Sequence, residues 1–207
     1  HPTDNVKGVT ASLLEGLSYG AGDAVLGLNP AIDNVKSTTD ILNLFNDVKS
    51  RLKIPTQICV LSHITTQLKA LKSGAPMDLC FQSIAGSEKA LASFGTDVDM
   101  LAEANELMSS KGTSIGPNYM YFETGQGSEL SSNSHNGADQ LVMESRCYGL
   151  ARHYNPFLVN TVVGFIGPEY IYDTKELIRA ALEDNFCGHM HGLPMGCDIC
   201  YTNHMKA

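Results

Sequence analysis

Short apolar runs alternate with stretches of helical periodicity along this chain, and that alternation constrains the fold more than any other feature. The apolar runs that read as buried strands are Ala24–Asn29, Gln57–His63, Leu79–Ser83, Tyr119–Glu123, Leu158–Val163 and Met195–Tyr201. Helix-period stretches follow the first five runs, at Ser37–Leu52, Thr65–Ser73, Ser87–Phe94 and Val98–Ser110, Asp139–His153, and Thr174–Leu182. Strands that alternate with helices form βαβ units around a parallel sheet, so the pattern predicts an α/β fold.

Local signals mark the ends of several helices. Ser37 and Asp40 have the spacing of a capping box, with Asp in place of the usual Glu, and predict a helix start. Gly74 and Gly95 follow two of the helical stretches and are typical of helix C-termini.

Polar residues at the ends of the apolar runs favour a barrel over other α/β folds. These residues are Asn29, Ser62 and His63, Gln82 and Ser83, Glu123, and Asp198. A (β/α)8 TIM-type barrel collects its functional residues at the carboxyl ends of its strands, whereas a five-stranded flavodoxin-like sheet uses one switch point. A Rossmann fold is disfavoured because Gly20-Ala21-Gly22 precedes the first strand instead of following it.

The strand count predicts an incomplete barrel. A full barrel has eight strands and about 250 residues, whereas this chain has 207 residues and six candidate strands. The chain also opens on a helix-period stretch, Val6–Tyr19. We therefore expect a single domain over residues 1–207 that is a partial (β/α) barrel, with one strand missing at each end and open strand edges that favour aggregation of the chain alone.

The charge balance excludes some partners and suggests others. The chain has 22 acidic and 14 basic residues and a net charge of −8, so neither a nucleic acid nor an anionic membrane surface is an expected partner. Its apolar runs are too short to cross a bilayer. Charged residues make up only 17% of the chain, below the usual quarter, which indicates surface buried against partner chains.

Cysteine and histidine patterns predict no metal site. The six cysteines are irregularly spaced through core segments, which favours reduced thiols over a disulfide scaffold. Cys197 and Cys200 would point to opposite faces of a strand and could not share a ligand. His189-Met-His191 has no third ligand nearby and is interpreted as a solvated loop, and His63 as a structural histidine.

Glu123 and Asp198 are the candidate catalytic residues. Both stand where an apolar run ends, and paired carboxylates at a barrel mouth can hold an ammonium group or act as acid and base. Each could instead cap a helix or pair with a buried Arg. The glycines of Gly125–Ser128 would let the backbone approach a bulky ligand, since the segment lacks the Lys and spacing of a phosphate loop. Phe165 could line a pocket or only pack.

Six longer motifs resemble the large (heavy) subunit of ethanolamine ammonia-lyase over essentially the whole chain. They are Gly22–Pro30, Ile54–Gln57, Phe81–Ile84, Tyr121–Ser128, Asn160–Tyr170 and Cys197–His204. The resemblance implies a (β/α)8 barrel that uses adenosylcobalamin and radical chemistry to convert ethanolamine to acetaldehyde and ammonia. It also implies a cytoplasmic enzyme of ethanolamine catabolism, which can lie within a bacterial microcompartment.

The resemblance assigns roles residue by residue. It implies that Asn29, Glu123, Asp198 and Phe165 bind the substrate. It implies that Pro30, Gln82 and Ser131 contact the cobalamin. It further implies a separate small (light) subunit as partner and a homo-oligomer of heavy subunits.

Part of the family's pattern has no counterpart in this sequence. In the family, an Arg and a Gln on the first barrel strand also hold the substrate, and that strand would precede His1. The last barrel strand and one more cobalamin contact would follow Ala207. We therefore expect the chain alone to be inactive. A non-catalytic partial barrel that serves only in assembly, and a metal-dependent barrel lyase or hydrolase, are the alternatives.

Overall fold

Among the residues that it describes, the computed structural model contains six strands, and each overlaps one of the apolar runs identified above. It describes residues 3–20, 25–124, 136–138, 140–163, 182–183 and 186–199, with the backbone alone at 140, 162–163 and 196–199. The strands are β1 Val25–Leu28, β2 Gln57–Val60, β3 Cys80–Ile84, β4 Met120–Thr124, β5 Leu158–Val163 and β6 Met195–Ile199.

The helices also follow the predicted order. They are α1 Val6–Ser18, α2 Val35–Leu52, α3 Ile64–Lys72, α4 Glu88–Ser93, α5 Val98–Lys111 and α6 Gln140–His153. Gly74 and Gly95 stand just beyond α3 and α4 with φ of +90° and +71°, values that favour glycine and end a helix. The predicted helix Thr174–Leu182 falls, except for Leu182, outside the described residues.

Within each of the two sheets, strands adjacent in sequence are neighbours. β1 pairs with β2 in parallel, with Val25 level with Gln57. The other sheet has the order β3-β4-β5-β6, and its β4–β5 and β5–β6 pairs are parallel. The predicted α/β class with parallel strands is therefore confirmed. Contacts divide the chain into two compact units, the first His1–Gln82 with Met100–Tyr119 and the second Ser83–Asp99 with Met120–Ala207.

In the first unit, the side chain of Gln67 bridges β3 and the segment just after β2. Its amide nitrogen donates to the carbonyls of Ser62 and Phe81 at 2.6 Å each, and its amide oxygen accepts from the Phe81 N–H at 2.9 Å. Gln67 is fully buried. The amide therefore satisfies backbone groups of both segments that could not reach water.

The predicted capping box of α2 is wrong. The helix begins at Val35, and its N-cap is Asn34, whose side-chain oxygen accepts from the Ser37 N–H at 2.9 Å. Asn is among the best N-cap residues, so it takes the position that the spacing assigned to Ser37. The Ser37 hydroxyl donates instead to the Asp4 carboxylate at 2.9 Å.

In the second unit, one face of β4 packs against α6. Phe122 is fully buried, and its ring lies 5.9 Å from that of Tyr154, just beyond the helix. A Cβ at Gly86 would lie 2.2 Å from the Met143 carbonyl oxygen, so the chain after β3 can approach α6 only with glycine at that position. The helix-facing surface of the sheet therefore forms the core of this unit.

Within the described part of the chain, no helix combines the length and the hydropathy needed to cross a bilayer.

Candidate active site

Glu123 stands near the carboxyl end of β4, on the face that points away from α6. Successive residues of a strand alternate between faces, so Tyr121 and Glu123 share one face while Phe122 packs toward the helix. Glu123 is half-buried, whereas Tyr121 is buried. The strand thus presents a carboxylate next to a sheltered phenol, on the side of the sheet that is not covered by α6.

Two neutral side chains are hydrogen-bonded in series to Glu123. The Tyr121 hydroxyl donates to the Glu123 carboxylate at 3.2 Å. The Asn160 side-chain amide donates to the same Tyr121 hydroxyl at 2.6 Å. Asn160 lies on β5, level with Glu123 in the strand register, and is buried. A hydrogen bond to a carboxylate restricts its rotation and holds it in place.

The backbone register places Asp198 on the same face as Glu123. Asn160 is level with both Glu123 and Gly196, and Asp198 lies two residues beyond Gly196 on β6. Residues two apart on a strand share a face. The two outer strands of three lie about 10 Å apart, since neighbouring strands are separated by about 4.8 Å. The sheet therefore places the two candidate catalytic positions on one face, with β5 between them.

In the first unit, the turn after β1 carries Asn29, which is exposed, and Pro30, which is half-buried. The Asp4 carboxylate anchors this turn by accepting from the N–H groups of Ala31 and Ile32 at 2.7 and 2.8 Å. Desolvation alone would raise the pKa of Asp4. The hydrogen bonds from Ala31, the Ser37 hydroxyl and Ile32 outweigh it, so the pKa lies below its ordinary value.

We expect Asp4→Asn to destabilise the protein near neutral pH and to matter less in acid. A lowered carboxyl pKa in the folded state means that the stabilisation is present above the unfolded pKa and is lost as the pH falls through the folded pKa. The measurement is the difference in Tm between the variant and the unsubstituted protein from pH 7 down to about pH 4 and below. Asp47→Asn, at an exposed position on α2, is the control. A difference independent of pH would contradict this role of Asp4.

Gln82 is buried in the first unit. It is 4% exposed, and its side-chain oxygen accepts from the Ile64 N–H at 3.2 Å, at the start of α3. His63 is the N-cap of the same helix, and its Nδ1 accepts from the Thr65 N–H. The predicted structural role of His63 is confirmed.

Three of the predicted core cysteines, Cys59, Cys80 and Cys147, are buried and free of disulfides. Burial raises the pKa of the Cys80 thiol to about 12, so this thiol is inert at neutral pH. No group of three metal-ligating side chains occurs among the described residues.

The placement of His191 in a solvated loop is wrong, because its Nε2 lies 3.0 Å from the Ser145 hydroxyl and its ring packs 5.8 Å from that of Tyr148.

Several predictions fall on residues that the structure does not describe. Phe165, Ser131, Cys200 and the segment Gly125–Ser128 are outside the described residues, as is the side chain of Asp198. The roles assigned to them, and to Asn29 and Pro30, stay predictions.

The sequence reasoning did not assign roles to Tyr121, Asn160 or Asp4. The spacing of Tyr121 and Glu123, two residues apart in a predicted strand, was the available signal for the first. Asn160 was visible as an amide inside an otherwise apolar strand. Nothing in the local sequence connects Asp4 to a turn 27 residues away.

The comparisons with known proteins agree with the resemblance seen in the motifs. The family model for the ethanolamine ammonia lyase large subunit matches residues 1–207. The chain is 55% identical over 204 residues to the ethanolamine ammonia-lyase large subunit of Salmonella typhimurium and 54% identical to that of Escherichia coli K12. Each match covers 99% of this chain and 45% of the relative, so the chain spans just under half of their length. This chain therefore belongs to the family of ethanolamine ammonia-lyase large subunits.

Proposed function

We propose that this chain forms part of the active-site barrel of an ethanolamine ammonia-lyase, which converts ethanolamine to acetaldehyde and ammonia. The whole enzyme combines the large subunit with a small subunit, and the large subunits associate with one another. The observation that carries the proposal is the position of Glu123, a half-buried carboxylate at the carboxyl end of β4 that shares a face with Asp198.

The chemistry of the substrate matches these carboxylates. Ethanolamine carries an ammonium group at neutral pH, and a carboxylate in a partly desolvated site attracts it far more strongly than one in water. Glu123 and Asp198 hold the ammonium group from two sides, and this fixes the orientation of the carbon chain. The atoms of ethanolamine equal those of acetaldehyde plus ammonia, so no water or redox partner is consumed overall.

The strand order supports a barrel as the complete fold. β1 and β2 are parallel neighbours, and β3 to β6 follow one another in a second sheet. Within the first unit, the Leu79 N–H donates to the Ile58 carbonyl at 3.2 Å, so the chain entering β3 runs beside β2. Sequential parallel strands joined by helices are the arrangement of a (β/α)8 barrel, whose active site lies where Glu123 and Asp198 stand.

Adenosylcobalamin is the cofactor that the family implies, and two of its candidate contacts are described. Pro30 is half-buried at the end of β1 and has no N–H to leave unsatisfied, so its ring can pack against a large flat ligand. Gln82 is 4% exposed and its side-chain oxygen accepts from the Ile64 N–H, so a contact with the cofactor would use the remaining hydrogen-bonding capacity of its amide group. When bound, the cofactor supplies the radical chemistry, while this chain's residues bind and orient the substrate.

The proposal is tested with the full-length large subunit that contains this segment, assembled with the small subunit. Acetaldehyde and ammonia should form in equal amounts from ethanolamine, and formation should stop when adenosylcobalamin is left out. 1-Propanol has a similar size but lacks the ammonium group, and it should not be converted. An assembled complex that binds the cofactor yet produces no acetaldehyde would contradict the proposal.

A further inference from the structure

We propose that Tyr121 and Asn160 are positioning residues that orient Glu123 for the substrate ammonium group. This inference rests on the function proposed above, because it takes Glu123 to be a substrate ligand. The geometry that carries it is the series of hydrogen bonds from the Asn160 amide to the Tyr121 hydroxyl, and from that hydroxyl to the Glu123 carboxylate.

The single hydroxyl proton of Tyr121 determines which group donates in each hydrogen bond of this series. A tyrosine hydroxyl has one proton to donate and can also accept. Asn160 donates to the hydroxyl at 2.6 Å, so the hydroxyl proton is directed to Glu123. A carboxylate that accepts this proton at Oε1 has its side-chain rotation restricted. The substrate then meets a carboxylate already in one orientation, and less conformational freedom is lost on binding.

The location of the two residues argues for a role beyond packing. Tyr121 is 6% exposed and Asn160 is 8% exposed, so their polar groups are largely removed from water. They stand on the Glu123 face, whereas the core contacts of β4 with α6 are made by the other face, through Phe122. A phenylalanine at position 121 and an apolar residue at position 160 would pack as well, so the polar groups need a reason to be there.

The decisive variant is Tyr121→Phe in the full-length large subunit, assembled with the small subunit and adenosylcobalamin. Loss of the hydroxyl removes one hydrogen bond that orients the Glu123 carboxylate and should raise KM for ethanolamine by about 10-fold, with kcat changed by less than about 3-fold. A purely structural defect would reduce the amount of active enzyme, and so would lower the apparent kcat while leaving KM unchanged.

Tyr119→Phe is the matched control. It makes the same substitution two residues earlier. Among the residues that the structure describes, the Tyr119 hydroxyl makes no hydrogen bond. We expect KM and kcat of this variant to stay within about 2-fold of the unsubstituted enzyme.

Asn160→Asp tests the same series without removing the hydroxyl. A carboxylate at position 160 would compete with Glu123 for the single Tyr121 proton, so KM should again rise by about 10-fold. This variant also decides the question if Tyr121→Phe fails to fold.

Combining substitutions at positions 121 and 123 distinguishes this inference from the proposed function. Once Glu123→Gln is in place, adding Tyr121→Phe should change kcat/KM by less than about 2-fold, because both substitutions act on the same contact. If Glu123→Gln is inactive while Tyr121→Phe and Asn160→Asp leave KM unchanged, the positioning role is overturned and the proposed function stands. Near-normal activity of Glu123→Gln would overturn the positioning role together with the assignment of Glu123 as a substrate ligand, whereas the conversion of ethanolamine itself would stand.

Discussion

Glu123→Gln should lower kcat/KM for ethanolamine by about 100-fold or more in the full-length enzyme. Removing one partner of a desolvated charge pair costs about 2–5 kcal/mol, and each 1.4 kcal/mol is a factor of ten. The amide keeps the size of the side chain but cannot neutralise an ammonium group. We expect the loss in steady-state acetaldehyde production, with the circular dichroism spectrum and subunit assembly unchanged.

The matched control is Glu106→Gln on α5. Glu106 is exposed, so the same change of a carboxylate to an amide should leave kcat/KM within about 2-fold. If Glu123→Gln kept a kcat/KM close to that of Glu106→Gln, the carboxylate at position 123 would not be a substrate ligand. Asp198→Asn is expected to behave as Glu123→Gln does, because the register places both positions on one face.

The fold was predictable where it depends on patterns within one segment. Leu158–Val163 has the strand bounds that its apolar run predicts. The other strands lie within two residues of the prediction at each described end, except that β2 ends at Val60, three residues before the predicted end at His63. A buried parallel strand must be apolar on both faces, which leaves a strong signal in a short run. Glycine likewise marks the end of α3 because Gly74 adopts a positive φ that other residues avoid.

The parts that could not be predicted depend on contacts between distant segments. Ser37 fits a capping box when the local sequence is read alone, but its hydroxyl bonds to Asp4, 33 residues earlier. The bridge that Gln67 makes between β3 and the segment just after β2 likewise depends on Phe81 lying alongside. No local period or spacing contains that information.

The sequence predicted the two carboxylates of the candidate site, but not the residues whose hydrogen bonds hold Glu123 in place. Glu123 ends an apolar run and Asp198 lies inside one, and a charged group in such a run is costly unless it has a role. The support from Asn160 depends on the register between β4 and β5, which sets it level with Glu123. Register follows from the packing of whole strands, so the sequence could suggest that Asn160 was unusual without identifying its partner.

Asp78→Ala should destabilise the protein by about 3–5 kcal/mol, the usual cost of leaving one member of a buried ion pair without its partner. Asp78 is fully buried in the first unit. One carboxylate oxygen accepts from the Lys49 ammonium group and the Ile58 N–H, and the other accepts from the Thr113 hydroxyl at 2.7 Å. Alanine would leave the buried Ile58 N–H without its acceptor and the Lys49 ammonium group without its counter-charge, whereas the hydroxyl of exposed Thr113 can bond to water.

The measurement is the midpoint of urea denaturation of the full-length subunit, compared with Asp47→Ala. Asp47 also forms an ion pair, with Arg51, but both side chains are more than half exposed. That substitution should change stability by about 0–1 kcal/mol. A loss for Asp78→Ala no larger than for Asp47→Ala would contradict a structural role for the buried carboxylate.

A second substitution separates the charge from the hydrogen bonds. The Lys49 side chain is only 16% exposed, so much of the expected loss comes from a buried ammonium group without a counter-charge. Combining Lys49→Met with Asp78→Asn removes both charges and keeps an oxygen that can accept from Ile58. This pair should therefore be more stable than Asp78→Ala, and more stable than the sum of its two single substitutions predicts. Strict additivity would mean that Lys49 and Asp78 do not act as a pair, and that the hydrogen bonds to Ile58 and Thr113 account for the stabilisation.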